Sequence, residues 1–544
     1  MSETNVPEPI PAPEGPANII ETEYEVGQNN ITPRIGPFGL DIHNPVFAIS
    51  GLAVVGFVLF TLAFQNSVGP MYLALRDFLT ANLDWFFLSA GNLFVLVCLA
   101  LIVSPLGRVR IGGRDATPDY GYLGWFAMLF AAGMGIGLMF FGVSEPMSHY
   151  STAVGGTSIE GGVRTDWAPL GAAAGDEGAA RALGMAATIF HWGLHPWAIY
   201  AIVALSLALF AYNKGLPLTV RSIFYPIFGE RIWGWPGHVI DTLAVFATLF
   251  GLATSLGIGA QQANAGLSYL FGIEVSTTAQ VVLIMVITVA ALASVLRGLE
   301  GGVKRLSEIN MVLAAILLLF IILVGPTLAI VTGFFENLWA YGREVVALSN
   351  PVGREDDNFR QGWTAFYWAW WISWSPFVGM FIARVSRGRT VREFLTCVLI
   401  IPTLVSVLWM TTMGGTALSQ LIDGGFTGVQ DAALELKLFE MLTQLPLATI
   451  TSFVAIVLVI VFFVTSSDSG SLVIDTITAG GKIDAPVSQR VFWVSFEGLV
   501  AAALLIGGGL GALQAMAVST GFPFAIVLVL ACYALVKGLL DEPR

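Results

Sequence analysis

Long apolar segments alternate with short polar ones along most of the chain, from about residue 46 to about residue 538. About 20 helical residues cross the hydrocarbon core of a bilayer, so each long apolar segment predicts a transmembrane helix. Lipid offers no partners to backbone polar groups, which favours helices for such segments. The pattern predicts an all-α membrane protein with twelve transmembrane helices, at roughly residues 46–65, 85–104, 121–144, 183–212, 237–268, 278–297, 306–332, 361–385, 393–414, 446–470, 489–509 and 513–538.

The distribution of positive charge predicts how these helices are oriented. If the N-terminus lies inside, 18 of the 25 Lys and Arg residues fall in the inner segments. Cytoplasmic loops of membrane proteins carry such an excess. We therefore expect both termini to be cytoplasmic.

Four polar segments flank or separate the predicted spans. Residues 1–43 are acidic and proline-rich, which predicts a disordered cytoplasmic tail. Residues 145–182 form a Gly- and Ala-rich outer loop, and residues 541–544 a short cytoplasmic C-terminus. Residues 333–360 contain an apolar-periodic piece that predicts an amphipathic helix on the outer membrane surface; contact with a neighbouring subunit is the alternative.

The composition excludes several functional classes. Only 11% of the residues are charged, against about 25% in soluble domains. The net charge of −12 argues against a nucleic-acid partner, and the three cysteines all lie in apolar spans, which argues against a disulfide framework or a metal site. No phosphate-binding loop and no catalytic constellation is evident, so we expect neither an enzyme nor an ATP-driven pump, and no cofactor.

Two of the predicted spans carry residues that interrupt a helix. The third contains GMGIG at 133–137, and each glycine weakens a helix by about 1 kcal/mol relative to alanine. The eighth contains SWSP at 373–376, where Pro376 frees the carbonyl of Ile372. Freed backbone groups at membrane depth need protein or a watery cavity as partner. A small-residue packing face is the alternative for the third span.

The two interruptions lie five spans apart, and five is an odd number. Two five-span units would therefore cross the membrane in opposite senses, as in secondary transporters built from inverted repeats. The units would be residues 121–332 and residues 361–540, preceded by two peripheral helices in residues 44–120. Substrate sites of such transporters lie at the broken helices.

Aromatic residues cluster in the fourth and eighth spans. Indole faces attract cations, above all quaternary ammonium groups that donate no hydrogen bonds. Tryptophan in mid-span also departs from its usual place at the membrane surfaces. Packed or interfacial rings are the alternative. The two clusters predict an aromatic cage for a methylated onium compound and comprise Trp192, Trp197 and Tyr200, and Trp368, Trp370, Trp371 and Trp374.

The tenth span ends with hydroxyl residues at 465–469, around Asp468. Hydroxyl oxygens are hard ligands for small cations, and carbonyls freed at a broken helix supply further positions. Thr465 and Ser466 are therefore candidate sodium ligands. Hydroxyls that bond back to their own helix are the alternative. An acid such as Asp468 in or near the membrane is a functional candidate by default.

These residues resemble the betaine/choline/carnitine transporter family. The resemblance covers about residues 45–540 and rests on GMGIG at 133–137, WGLHPWAIY at 192–200, FYWAWWISWSPFVGMFIARVSR at 366–387 and FFVTSSDS at 462–469. It implies a LeuT-type fold of two five-helix inverted repeats preceded by two extra helices, alternating access, a homotrimer, and a location in the inner (plasma) membrane of a bacterium.

The resemblance also implies roles for individual residues. The substrate would contact the rings Trp192, Trp197, Tyr200, Trp370, Trp371 and Trp374, with Met134 and Gly137 in the opened turn. One sodium ion would bind the carbonyls of Ala131, Met134 and Phe462 and the hydroxyls of Thr465 and Ser466. A second would involve Thr248 and Phe377, although Leu252 stands where sodium-coupled betaine carriers tend to have a second threonine.

Departures from the family pattern bear on the substrate and the coupling ion. Choline-selective relatives carry an aspartate where this chain has Gly137, so a zwitterion with its own carboxylate is favoured. Residues 232–295 contain no Lys or Arg, unlike the sodium-independent exchangers. We expect sodium-coupled uptake of glycine betaine, with dimethylsulfoniopropionate second. A sodium-independent antiporter of carnitine type, a choline carrier and a non-transporting onium sensor are the alternatives.

Overall fold

The computed structural model describes residues 10–35, 38–133, 135–297 and 303–544. The protein is predominantly helical. Its helices are α1 (Asn44–Ala63), α2 (Gln65–Val103), α3 (Tyr122–Gly133), α4 (Ile136–Gly155), α5 (Glu177–Trp192), α6 (Leu194–Ala208), α7 (Tyr225–Phe228), α8 (Trp235–Phe271), α9 (Thr277–Arg297), α10 (Val303–Val324), α11 (Thr327–Ser349), α12 (Asp357–Phe359), α13 (Ala365–Val385), α14 (Val391–Ile422), α15 (Gly428–Asp431), α16 (Lys437–Thr443), α17 (Ala448–Thr478) and α18 (Val487–Leu540).

Short strands and tight turns complete the structure. The strands pair as three antiparallel two-stranded ladders, β1 with β4, β2 with β3 and β5 with β6. Their bounds are β1 (Asn30–Ile31), β2 (Arg34–Ile35), β3 (Phe38–Gly39), β4 (Ile42–His43), β5 (Ile159–Glu160) and β6 (Val163–Arg164). Single π-helical turns lie at Leu209–Asn213 and Arg360–Thr364.

Nine helical segments within the described residues are long and apolar enough to cross a membrane. The predicted third span is divided between α3 and α4, and the eighth is α13. The predicted eleventh and twelfth spans both fall in α18, where Gly508 and Gly509 leave helical geometry and kink the rod. The count of twelve transmembrane helices therefore stays a prediction, although each of the twelve predicted spans is largely helical.

Burial separates central from peripheral helices. The apolar windows of α5–α6 and α8 are 94% and 89% buried, whereas those of α1 and α10 are 33% and 22% buried. Helix α13 packs against α6, α8 and α18, and α17 packs against α8 and α10. The aromatic segments predicted to bind a ligand therefore lie at the centre of the bundle, away from lipid.

The glycine run of the third span does interrupt a helix. Helix α3 ends at Gly133 and α4 begins at Ile136, with Gly135 in extended conformation between them. Met134 lies outside the described residues. The interruption frees backbone groups beside the aromatic segment of α13.

The predicted interruption of the eighth span was wrong. Helix α13 continues through Pro376 to Val385. The carbonyl of Ile372, which loses its usual donor to the proline, accepts a hydrogen bond from the Ser375 hydroxyl at 2.7 Å. A side chain three residues away thus replaces the missing backbone N–H, so the helix needs no opened turn.

The N-terminal segment was wrongly predicted to be disordered, as far as residues 10–35 and 38–43 are concerned; residues 1–9, 36 and 37 lie outside the described residues. Tyr24 is buried, stacks on Trp233 with ring centroids 4.3 Å apart, and donates its hydroxyl to the Gly480 carbonyl. Asp41 forms an ion pair with Lys482 at 2.6 Å. Two of the acidic residues that indicate disorder by composition, Glu14 and Asp41, instead form ion pairs with Arg387 and Lys482. We call the end of the bundle that carries the N-terminal segment, Gly480 and Lys482 the terminal face.

Three predicted boundaries differ from the observed ones. Helix α2 begins at Gln65, about 20 residues before the apolar run at 85. Helix α4 continues to Gly155 through the start of the predicted outer loop 145–182. The amphipathic piece expected in 333–360 belongs to α11, Thr327–Ser349. In each case the helix extends into a segment whose polar residues lower the local hydropathy. Those residues contact protein or solvent, so they do not need to end the helix.

Helix α11 is amphipathic, as its sequence predicts. Asn337 and Tyr341 are buried, whereas Phe335 and Trp339 are 66% and 75% exposed. The buried face packs on α5 and α14. Its position on the membrane surface, or against another subunit, stays a prediction.

Candidate functional site

Five aromatic side chains from three helices enclose a small cavity at the centre of the bundle. Trp192 of α5 and Tyr200 of α6 stand edge-on to Trp371 of α13, with ring centroids 5.0 and 5.6 Å away. Trp370 and Trp371 stack with centroids 5.8 Å apart. The cavity measures about 50 Å³ and is lined by these four rings, Trp374, Ser255, Ser466 and residues 132 and 135–138. We call these five rings the cage.

Each tryptophan of the cage donates its indole N–H to a helix other than its own. Trp371 donates to the carbonyl of His191 at 2.9 Å. Trp370 and Trp374 both donate to the hydroxyl of Ser255 on α8, each at 3.1 Å. These bonds fix the ring planes, so the π faces that border the cavity are pre-organised. No sequence pattern distinguishes Ser255, which follows Thr254 in an apolar span.

Gly137 of α4 lies in close contact with two cage rings. A Cβ atom at this position would lie 2.6 Å from Cη2 of Trp192 and 2.9 Å from Cη2 of Trp370. Carbon atoms normally approach only to about 3.5–4.0 Å. Any side chain at 137 would therefore displace cage rings, and the glycine is required by this close approach.

Two of the clustered tryptophans lie outside this cavity. Trp197 is buried behind Tyr200, with ring centroids 5.4 Å apart, and it is not among the residues that border the cavity. Trp368 points away from the cage and packs on His195 and Phe190. Met134, expected beside the substrate and the sodium ion, lies outside the described residues.

A larger cavity of about 210 Å³ adjoins the cage on the side of the terminal face. The two cavities share Trp374, Ser466 and Ala132 as lining residues. The larger cavity is lined by three more phenyl rings and several hydroxyl and amide groups, comprising Phe377, Phe381, Phe462, Ser307, Asn310, Thr465 and Ser469, with Ala131, Met311 and Val378. A solute leaving the cage in this direction would meet both apolar and hydrogen-bonding groups.

This larger cavity brings together most of the residues expected at the first sodium site. Ala131, Phe462, Thr465 and Ser466 all border it. The Thr465 hydroxyl donates to the carbonyls of Val461 and Phe462, at 3.0 and 3.1 Å. A hydroxyl that donates its proton backward keeps its oxygen lone pairs for a cation. The back-bonding alternative and the ligand role are therefore compatible at Thr465.

The two residues expected at the second sodium site are not brought together in one cavity. Phe377 borders the larger cavity, whereas Thr248 is buried in α8 and donates its hydroxyl to the Ala244 carbonyl. One turn further along α8, Leu252 contacts α17 so closely that a Cβ on Gly470 would meet its Cδ1 at 2.4 Å. An apolar side chain thus fills the space where a second threonine would be needed.

A buried carboxylate behind the cage was missed. Glu145 lies in α4, fully buried, one residue before Pro146. In the sequence, the third apolar segment ends at about residue 144, so residue 145 was assigned to the predicted outer loop. Glu145 Oε1 lies 2.6 Å from Nδ1 of His191 and 3.1 Å from Nε2 of His149, and Oε2 accepts the Trp192 N–H at 2.8 Å.

Asp468 of α17 is held by two partners. It forms a buried ion pair with Arg490 of α18 and accepts a hydrogen bond from Ser294 of α9 at 2.8 Å. The residue is 1% exposed and does not border either cavity. Its contacts join three helices near the terminal face, which indicates a role in holding the bundle together.

Comparison with known proteins agrees with this architecture. A sequence model described as "BCCT, betaine/carnitine/choline family transporter" matches residues 45–544. The chain belongs to this family. It is therefore a multi-pass membrane transporter and not an enzyme, and the resemblance drawn from the four motifs is confirmed.

Several curated members of the family align with nearly the whole chain. A glycine betaine/proline/choline transporter of Vibrio parahaemolyticus is 68% identical, covering 98% of this chain and 97% of its own. Glycine betaine transporter 1 of the same organism is 53% identical, covering 96% and 98%. A glycine betaine transporter of Bacillus subtilis is 43% identical, covering 92% and 94%. All three names include glycine betaine as a transported solute of those proteins.

Among solved structures, a manganese transporter mutant from Eremococcus coleocola is similar with a TM-score of 0.39 and 12% identity, covering 78% of this chain and 81% of that chain. A likeness at this level has no bearing on the site.

Proposed function

We propose that this family member carries out sodium-coupled uptake of a methylated onium zwitterion, with glycine betaine as the preferred solute and dimethylsulfoniopropionate as the second. The observation that carries the proposal is the cage of Trp192, Tyr200, Trp370, Trp371 and Trp374. Ring faces attract a fully alkylated cation by about 0.5–2 kcal/mol each when water is excluded. A quaternary ammonium or sulfonium head meets this requirement without donating a hydrogen bond.

The lining of the two cavities favours a zwitterion over a simple cation. Among the described residues that border them, none is Lys, Arg, Asp or Glu. A bare cation in such a cavity would have no direct counter-ion, whereas a betaine brings its own carboxylate. The Ser466 hydroxyl and the Asn310 amide, whose nitrogen finds no partner among the described residues, are available to that carboxylate.

Sodium coupling is supported by an oxygen-rich wall of the larger cavity, which meets the cage at Ser466. Thr465 and Ser466 offer hydroxyl oxygens, and Ala131 and Phe462 offer carbonyls near the end of α3 and in α17. Hard oxygen ligands of this kind suit an alkali cation. Because Leu252 fills the neighbourhood of Thr248, we propose one sodium ion at this wall as the coupling ion.

The proposal includes the expected membrane arrangement. Twelve transmembrane helices would form two inverted five-helix repeats, with two extra helices before them and both termini in the cytoplasm. The excess of Lys and Arg in the segments at the terminal face supports this orientation. We also retain the homotrimer as part of the proposal. Chemical cross-linking in native membranes tests it: a ladder ending at three subunits is expected, and a dimer limit would contradict it.

Uptake into proteoliposomes tests the transport reaction directly. With sodium outside and an inward gradient, labelled glycine betaine should accumulate above equilibrium, and replacing sodium by potassium should abolish accumulation. Unlabelled dimethylsulfoniopropionate should compete strongly, choline and carnitine weakly. Uptake that is unchanged in potassium would refute sodium coupling, and choline as the strongest competitor would refute the zwitterion preference.

A single substitution tests the cage. Trp371→Leu removes the ring that contacts both Trp192 and Tyr200. It should weaken betaine binding by about 1 kcal/mol or more, roughly fivefold. Trp235, 66% exposed at the start of α8, provides the matched control as Trp235→Leu. Wild-type affinity in Trp371→Leu would contradict a solute bound between these rings.

A further inference from the structure

The buried carboxylate of Glu145 connects three helices directly behind the cage. It accepts hydrogen bonds from the Trp192 N–H of α5 and the Tyr367 hydroxyl of α13, and ring nitrogens of His149 on its own helix α4 and of His191 on α5 lie within hydrogen-bond distance. The Tyr367 hydroxyl lies 2.5 Å from Oε2, and the Trp192 indole nitrogen lies 2.8 Å from the same oxygen. All four groups are able to donate, and four donors suit an ionised carboxylate, which only accepts.

Two of these contacts lead straight to cage rings. The Trp192 N–H is bonded to Glu145 itself. The Trp371 N–H is bonded to the backbone carbonyl of His191, whose ring is bonded to Glu145. Glu145 is not among the residues that border the cavity, so it acts on a solute only through the rings.

The charge on the carboxylate changes what the Trp192 ring offers to a ligand. Hydrogen bonds to ionised groups are stronger than neutral ones, and bonded groups polarise one another in a low-dielectric interior. An indole whose N–H is bonded to an anion carries more electron density on its π faces, and those faces attract cations electrostatically. The anion therefore makes the cage more negative toward the cavity without occupying it.

We propose that Glu145 is a positioning and specificity-determining residue: its bond to the Trp192 N–H both orients the ring and polarises it toward a cationic head. The inference rests on the proposed function, because it assumes that an onium group occupies the cage. It accounts for cation selectivity in a cavity whose described lining residues include no carboxylate.

A metal site is the other interpretation of the same atoms. One ligand atom each from Glu145, His149 and His191 lies within 4.8 Å of the others. His191 is already bonded on both ring nitrogens, to Glu145 at 2.6 Å and to the Thr364 hydroxyl at 2.9 Å. Zinc–nitrogen bonds measure about 2.0–2.1 Å and would require these hydrogen bonds to be broken. The satisfied network favours the positioning role.

The test compares a cationic ligand with its uncharged-head isostere. Glycine betaine and 3,3-dimethylbutanoate share shape and carboxylate and differ in one atom, nitrogen or carbon, at the centre of the head. Wild-type protein should bind betaine more tightly, and the ratio of the two dissociation constants measures the cation preference. Glu145→Gln should lower this ratio by about three- to tenfold, on the scale of one cation–π contact. A purely structural role would weaken both ligands equally and leave the ratio unchanged, which would overturn the proposal.

Two further variants keep the test independent of the folding of Glu145→Gln. Trp192→Phe retains an aromatic face and removes the N–H that Glu145 accepts. It should therefore also lower the preference for glycine betaine over 3,3-dimethylbutanoate. In that background Glu145→Gln should cause no further fall, because the two residues act through one contact. Tyr367→Phe removes a different donor from the same carboxylate and should leave the ratio within about twofold.

The outcomes separate this proposal from the proposed function. Wild-type protein that binds neither ligand in the cage would refute the function itself. Wild-type protein that prefers betaine, with Trp192→Phe and Glu145→Gln retaining the full preference, would refute the role of Glu145 alone. Additive losses in the double variant would also contradict it, because they would place the two residues in separate interactions.

Discussion

Replacement of Gly137 by alanine is the sharpest test of the cage geometry. The new methyl group would lie 2.6 Å from Cη2 of Trp192 and 2.9 Å from Cη2 of Trp370. To restore ordinary contact, the rings must retreat by roughly 1 Å. They cannot do so freely, because their N–H groups are bonded to Glu145 and Ser255.

The magnitude follows from this overpacking. Extra methyl groups in packed interiors cost about 1–3 kcal/mol. If the bound state carries this cost, betaine affinity falls by about 5- to 150-fold. The change has the opposite sign for the helix itself, since alanine favours a helix over glycine by about 1 kcal/mol. Weaker betaine binding by a folded protein, whose loss of stability is smaller than the overpacking cost because the helix gain offsets part of it, is therefore the expected signature.

The assay is a titration of purified Gly137→Ala protein with glycine betaine, followed by tryptophan fluorescence and calorimetry. Gly155→Ala, at the end of the same helix, is the matched control because no atom lies within 4 Å of its Cβ position. Binding by Gly137→Ala within about twofold of wild type, less than 0.5 kcal/mol, would refute the close approach as a determinant of the site.

Three other changes test separate parts of the structure. Combined Thr465→Ala and Ser466→Ala should raise the sodium concentration for half-maximal uptake by about tenfold, if the two hydroxyls contribute ~1.4 kcal/mol to ion binding; an unaltered sodium curve would mean that neither is a ligand. Trp197→Phe should change betaine affinity by less than about twofold, because this ring lies outside the cavity and retains an aromatic face; a tenfold loss would place it in the cage. Arg490→Leu should leave Asp468 buried without its cation and lower stability by about 3–5 kcal/mol; thermal unfolding in detergent measures it, and an unchanged midpoint would contradict the ion pair.

The sequence allowed the ring cluster to be predicted because its chemistry is local. Trp370, Trp371 and Trp374 occupy neighbouring positions on one helix, so any helical α13 presents them together. The glycine run before α4 likewise indicates an interruption by itself. Trp197 was predicted to belong to the cage because it lies in the same aromatic cluster as Tyr200, but membership of a cluster does not say which of the two rings faces inward.

Features that depend on distant contacts were not predictable in the same way. Glu145 was assigned to a loop because hydropathy cannot distinguish a helix with a buried polar face from a solvent-exposed segment. The N-terminal segment has the composition of a disordered tail, yet Tyr24 anchors it on Trp233 and Gly480. The interruption at Pro376 failed for a third reason: Ser375, its neighbour, supplies the missing donor.

The anchoring of the cage connects solute binding to helix movement. Trp192 of α5 is bonded to α4, Trp371 of α13 to α5, and Trp370 and Trp374 of α13 to α8. A shift of α13 relative to α8 or α5 must therefore break indole hydrogen bonds and separate ring faces that a cation would hold together. A solute that contacts several rings binds the helix arrangement that holds those rings together more tightly than any other arrangement. It therefore stabilises that arrangement by the difference in affinity. Under the proposed function, release into the larger cavity would require such a shift, which dismantles the cage. The same contacts that give the site its affinity thus make occupancy and conformation interdependent, which is the requirement for a carrier as opposed to a passive pore.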